Sequence, residues 1–129
     1  MYTDAMKQWH RSRSFFEASA FAWRGLADAF HREQNVRTQM LFGAIVVCAM
    51  IFLRVPIERM AILIFAITLV LVLEMLNSSL ELLSDVLHPE YSQAIKSSKD
   101  IAAGAVLLAS IAAVAIGLLV FIPAIAALL

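Results

Sequence analysis

The stretch MAILIFAITLVLVLEMLNSSLELLSD, residues 60–85, runs apolar from Met60 to Leu73 and then meets Glu74, Asn77, Glu81 and Asp85. These four are spaced i, i+3, i+7 and i+11. At about 100° per residue they fall in one stripe about 80° wide on a single helix, while Leu76, Leu80, Leu83 and Leu87 lie on other faces. From Arg59 to Glu74 such a helix climbs about 22 Å, against a hydrocarbon core about 30 Å thick. Glu74 is therefore expected at the far edge of the core, short of bulk water. A carboxylate at that depth is costly and by default marks a functional site. Glu81 and Asp85 fall one to three turns further on, at headgroup level, and a solvated helix face suits Asp85 best.

Outward from this stretch the chain reads as an integral membrane protein. Of its 129 residues 62% are hydrophobic and 16% charged, where soluble domains carry about 45–50% and about 25%. A domain this small cannot hide so much apolar surface in water. Before Met60, sixteen uncharged residues lie between Arg37 and Arg54. They span a bilayer if the flanking arginines snorkel to the headgroups. RVPIER (54–59), with Pro56, breaks this helix from the next and makes the two an antiparallel hairpin. Ile101 to Leu129 carries no charge and passes as a third span.

Charge counts exclude some classes and set an orientation. Ten Lys+Arg balance ten Asp+Glu, so the basic excess of a nucleic-acid binder is missing. Six of the ten basic residues precede the first span, two lie in the 54–59 turn and two in the 85–100 connector. The positive-inside rule then puts the N-terminus and the second connector in the cytoplasm and the C-terminus outside. Residues 1–37 hold basic residues without an apolar h-region and are not read as a signal peptide. The lone Cys48 excludes an internal disulfide framework and reads as a packed apolar residue. His10, His31 and His88 have no ligand spacing, so no zinc or haem site is expected. Four glycines and three prolines leave little room for long loops, apart from a Ser/Lys-containing connector near 92–99. The small residues Ala102, Ala103, Gly104, Ala105 and Ala109 permit close helix packing.

Residues 13–32 form a different kind of helix. With Phe15 at 0°, Phe16, Trp23, Leu26 and Phe30 gather on one face, and Arg13, Glu17, Arg24, Asp28, His31 and Arg32 on the opposite one. In a chain already in the membrane this reads as a helix lying in the cytoplasmic interface, with Trp9 and Trp23 as anchors. Phe21 sits among the charges and breaks the pattern. The expected organisation is one all-α membrane domain over 1–129, with a surface helix at 13–32 and membrane helices at 38–53, 58–88 and 99–125.

A half-buried carboxylate with further acids a turn or two away suits phosphoryl transfer to a hydroxyl held in the membrane. The outer acids would hold Mg²⁺, which takes one or two carboxylates together with nucleotide phosphates. The deep acid would accept the hydroxyl proton. Lys99, with Asp100 beside it, would balance phosphate charge, and Lys96 suits a headgroup contact. A proton or cation pathway also uses intramembrane acids, and spacing alone does not separate the two. The alternative to a kinase is a non-catalytic multi-span protein such as a proton-coupled exporter or a membrane anchor subunit. An anchor subunit offers haem-ligand histidines inside its spans, and none of the three histidines lies in one.

E-M-L-N-S-S-L-E-L-L-S-D (74–85) followed by K-D-I-A-A-G-A-V-L (99–107), with W-R-G-L and E-x-N-x-R upstream (23–37), resembles the prokaryotic diacylglycerol kinase family, which includes undecaprenol kinases. The resemblance covers residues 15–120. It implies a homotrimer of three-span subunits with an N-terminal surface helix, and active sites shared between neighbours at the cytoplasmic face of a bacterial inner membrane. The expected activity is transfer of the γ-phosphoryl of MgATP to diacylglycerol or undecaprenol. The implied catalytic pair is Glu74, the base, with Asn77. Glu33 and Glu81 are the implied metal ligands. Phe21, Glu33, Glu81, Glu90, Tyr91, Ser92, Lys99 and Asp100 fall where the family meets ATP, and Glu74, Trp23 and Arg37 fall at the lipid side. The family often has tyrosine where this chain has Phe21, and commonly histidine where it has Ser92.

Overall fold

The computed structural model describes residues 14–129, and within them the chain is helical: α1 is Phe15–Arg32, α2 Gln34–Phe52, α3 Ile57–Leu87 and α4 Gln93–Ala126. Trp9, His10 and Arg13 lie outside the described residues. The chain divides into two compact units, one ending at Arg32 and one running from Glu33 to Leu129.

In the first unit, α1 buries none of its residues. Phe15, Phe16 and Trp23 are exposed, as are Leu26 and Phe30. Asp28 and Arg32 pair one turn apart at 3.0 Å on the charged side. Phe21 finds its reason there: the Arg24 guanidinium lies 5.6 Å from its ring centroid, a distance at which a cation is attracted to an aromatic face.

The second unit holds the three helices long and apolar enough to cross a membrane. Helix α3 packs against both α2 and α4, and more extensively against α4. Met50, Val55, Leu63 and Val120 form the buried cluster, joined at its edges by Val46, Val47, Ile67, Ile116 and Phe121. Gly43 lets α2 and α3 approach closely, since a Cβ there would stand 2.9 Å from Ile67 Cγ2.

The hairpin between α2 and α3 closes tightly. Val55 N–H donates to the Met50 carbonyl at 3.0 Å and Arg54 N–H to the Ile51 carbonyl at 3.1 Å. Those are the two bonds of a Schellman motif, which needs a left-handed residue at its penultimate position. That residue is Arg54, with φ of 53°. Pro56 then caps α3 and fixes φ as the chain re-enters a helix.

Two helix starts differ from expectation. Helix α2 begins at Gln34, not 38, because Glu33 takes an extended N-cap conformation and the polar turn after it winds into the helix. Helix α4 begins at Gln93, not 99, so the Ser/Lys segment is helix and the connection shrinks to residues 88–92. Nothing in QAIKSSKD breaks a helix, and the Lys96–Asp100 pair, one turn apart at 2.6 Å, supports it.

Candidate active site

Among the described residues the one buried charged side chain is Glu74, 6% exposed. It sits on α3 in line with the buried Leu63, Ala66 and Val70. Its carboxylate takes part in no hydrogen bond or ion pair among the described residues. One turn on, Asn77 Oδ1 is buried and also has no partner. An unpaired buried acceptor costs about 1–3 kcal/mol. Glu74 and Asn77, three residues apart on one face, together offer carboxylate and amide acceptors and the Asn77 amide donor. A hydroxyl entering there could donate to either acceptor.

Beyond Asn77 the stripe opens to solvent, and Glu81 and Asp85 are exposed. Ser84 turns its hydroxyl back to the Leu80 carbonyl at 2.7 Å and takes no part in the stripe. Glu33 is half-buried at the N-cap of α2, yet its side chain makes no capping bond. Arg37 is exposed one turn further along.

The connection between α3 and α4 carries the remaining candidates. His88 Nδ1 lies 2.9 Å from the Glu90 carbonyl, and the Tyr91 hydroxyl donates to Gln93 Oε1 at 2.6 Å. Glu90 and Tyr91 are exposed. Ser92 N-caps α4 through its backbone, with its hydroxyl uninvolved. Lys99 and Asp100, adjacent in sequence, part company: Lys99 Nζ donates to Asp85 Oδ1 at 2.6 Å, and Asp100 takes Lys96. Lys96 is thus an ion-pair partner in this chain. The Asp85–Lys99 contact escaped sequence reading because it joins two helices across a turn. Its signal was the i+11 place of Asp85 at the end of the acid stripe. Phe21 and Trp23 are exposed on α1, in the other unit.

No three His, Cys, Asp or Glu side chains converge as a metal cluster among the described residues. Magnesium does not require one, since it commonly uses one or two carboxylates with phosphates and water filling its octahedron. The available donors, Glu33 and Glu81, are hard oxygen ligands of the kind it prefers.

A match to the prokaryotic diacylglycerol kinase family covers residues 20–121. This chain belongs to that family. It is a lipid-kinase-family enzyme, and the reading as a non-catalytic exporter or anchor subunit falls with the match. A diacylglycerol kinase of Synechocystis sp. is 35% identical over 116 residues, 89% of this chain and 66% of that protein. A diacylglycerol kinase of Escherichia coli is 32% identical over 101 residues, covering 76% of this chain and 80% of its relative. An undecaprenol kinase of Bacillus subtilis is 31% identical over 114 residues, 84% of this chain and 89% of that protein. The chain thus spans just under two thirds of the first of these and more of the others. The three apolar helices and these bacterial relatives make it a bacterial membrane protein.

Proposed function

We propose that this chain transfers the γ-phosphoryl group of MgATP to the hydroxyl of a membrane lipid, at the cytoplasmic face of the inner membrane. The observation that carries the reading is the Glu74–Asn77 pair, a buried acidic residue one turn from an amide oxygen that is buried without a partner. Both sit on a helix apolar enough to cross a bilayer. A lipid alcohol that diffuses in the bilayer reaches such a site laterally and brings an O–H.

In this reading the lipid O–H donates to the Glu74 carboxylate, which takes the proton as the oxygen attacks the γ-phosphorus. The bond to the β–γ bridging oxygen breaks, and ADP leaves with that electron pair. Asn77 keeps the hydroxyl in line. Phosphoryl transfer asks mainly for positioning and charge stabilisation. Glu33 and Glu81 would hold Mg²⁺, which supplies neutralising charge for the phosphates. Lys99 contributes a cation of the chain's own, and Asp100, Glu90, Tyr91 and Ser92 border the nucleotide. Arg37 faces the lipid.

Helix α1 then lies in the interface with its aromatic face in lipid. The positive-inside count puts the N-terminus in the cytoplasm. The open apolar flanks of α4, which buries Val120 alone, suit a homotrimer in which neighbours complete the site. Diacylglycerol and undecaprenol, the lipids in the relatives' names, are the substrates to compare.

The test offers each lipid with MgATP in mixed micelles to wild type and Glu74→Gln. A general base contributes about 10²–10⁴-fold, so turnover should fall by about that factor on the preferred lipid. Wild-type turnover in Glu74→Gln would overturn the base assignment. Phosphorylation of neither lipid by the wild type would overturn the function.

A further inference from the structure

We infer that Asp85 is a positioning residue for the nucleotide: its carboxylate on α3 holds the Lys99 ammonium on α4 at the end of the acid stripe, aimed at the phosphates. This rests on the nucleotide reading above and extends it to a residue outside the implied site.

The geometry is specific to this pair. Lys99 Nζ stands 2.6 Å from Asp85 Oδ1, and the lysine side chain is 31% exposed where the aspartate is 68% exposed. The lysine is the more buried partner, and its tip meets the carboxylate. Its sequence neighbour Asp100 does not compete for it, because Asp100 is taken by Lys96 at 2.6 Å. Left unpaired, Lys99 would sample many rotamers, since a lysine side chain carries about 2 kcal/mol of conformational entropy. Asp85 removes that freedom before the nucleotide arrives.

Asp85 follows Glu81 by one helical turn on the same face, about 6 Å along the axis. The residue that holds the ammonium thus stands one turn from the residue assigned to the metal, a spacing on the scale of a polyphosphate. An ammonium has three N–H donors, and Asp85 uses one. Two remain for phosphate oxygens, so the pair orients the lysine without blocking it.

The test titrates a trinitrophenyl-ATP probe against full-length wild type, Asp85→Asn, Asp85→Glu, Lys99→Gln and the Asp85→Asn/Lys99→Gln double variant in micelles. Steady-state kinetics on the preferred lipid run in parallel. An exposed ion pair has an effect of up to about fivefold in an equilibrium constant. Asp85→Asn should weaken probe binding and raise the KM for ATP by about two- to fivefold, with kcat within about twofold of wild type. Asp85→Glu should recover much of the affinity. In the Lys99→Gln background Asp85→Asn should add nothing, because Asp85 acts through Lys99. Unchanged or tighter binding in Asp85→Asn, additive losses in the double variant, or a fall in kcat at constant KM would each overturn the inference. The binding arm decides it even if neither lipid proves to be a substrate, a result that would sink the kinase reading separately.

Discussion

The two ends of α3 are built on opposite rules. At the hairpin end, Leu63 packs with Met50, Val55 and Val120 into a cluster closed within one chain. At the other end the buried side chain is Glu74, the amide oxygen of Asn77 is buried without a partner, and Leu76, Leu82, Leu83 and Leu87 point outward. One end satisfies itself. The other buries an acidic residue, keeps an amide oxygen without a partner, and leaves leucines for lipid or a neighbour to cover. Proteins break local rules of this kind where function requires it. The hairpin end therefore supports stability, and the acidic end is where the proposed chemistry would sit.

Glu74→Gln breaks or sharpens this contrast most strongly. Its loss of turnover, about 10²–10⁴-fold, should come with an unchanged or higher midpoint of unfolding in micelles, since a buried charge without a partner is replaced by a neutral group. Met50→Ala should do the reverse. Met50 is fully buried, and truncating such a side chain costs about 2–5 kcal/mol. The KM for ATP should stay at the wild-type value in the folded fraction. A Met50→Ala protein that unfolds normally but fails to bind nucleotide would show that the two ends are not separable.

The contrast was partly legible in the sequence. The 60–85 stretch gave its helix and stripe because apolar run, acid spacing and depth agree in one element. The burial of Glu74 follows from the same pattern. Less could be read where contacts join residues distant along the chain. Asp85 is solvated as its place in the stripe suggests, but its ion-pair partner is fourteen residues away across a turn and could not be read. The helical start at Gln93 was missed because Ser and Lys read as a connector, although neither breaks a helix. Nor does hydropathy show which glycine matters: Gly43 lies in an apolar run like its neighbours, yet Ile67 Cγ2 comes within 2.9 Å of where a Cβ would be.

That approach gives the next test, between the two ends. Ile67 is β-branched and stiff in a helix, so it yields poorly to an added group. Gly43→Val should destabilise the α2–α3 pair by about 1–3 kcal/mol through overpacking. Ile67→Ala removes the obstructing methyl, and combined with Gly43→Val it should recover part of the loss. Simple additivity of the two, read by equilibrium unfolding, would mean that the helices do not meet at this point.

The smallest expected effect lies in the hairpin itself. Arg54 holds a left-handed conformation, with φ of 53°, that disfavours a residue with a Cβ by about 1–2 kcal/mol. Glycine is the usual occupant of that place in a Schellman motif. Arg54→Gly should therefore stabilise the fold by about 1 kcal/mol if the turn were the whole story. Arg54 also flanks the first span, where an arginine anchors the helix end at the headgroups, and losing that anchor opposes the gain. Arg54→Asn separates the two effects, since asparagine tolerates the left-handed region but carries no charge. A gain in Gly without one in Asn would assign the stored strain to the Cβ. A loss in both would assign the arginine to the membrane surface, and would show that even the self-satisfied end of α3 gives up some backbone ease to hold its place in the bilayer.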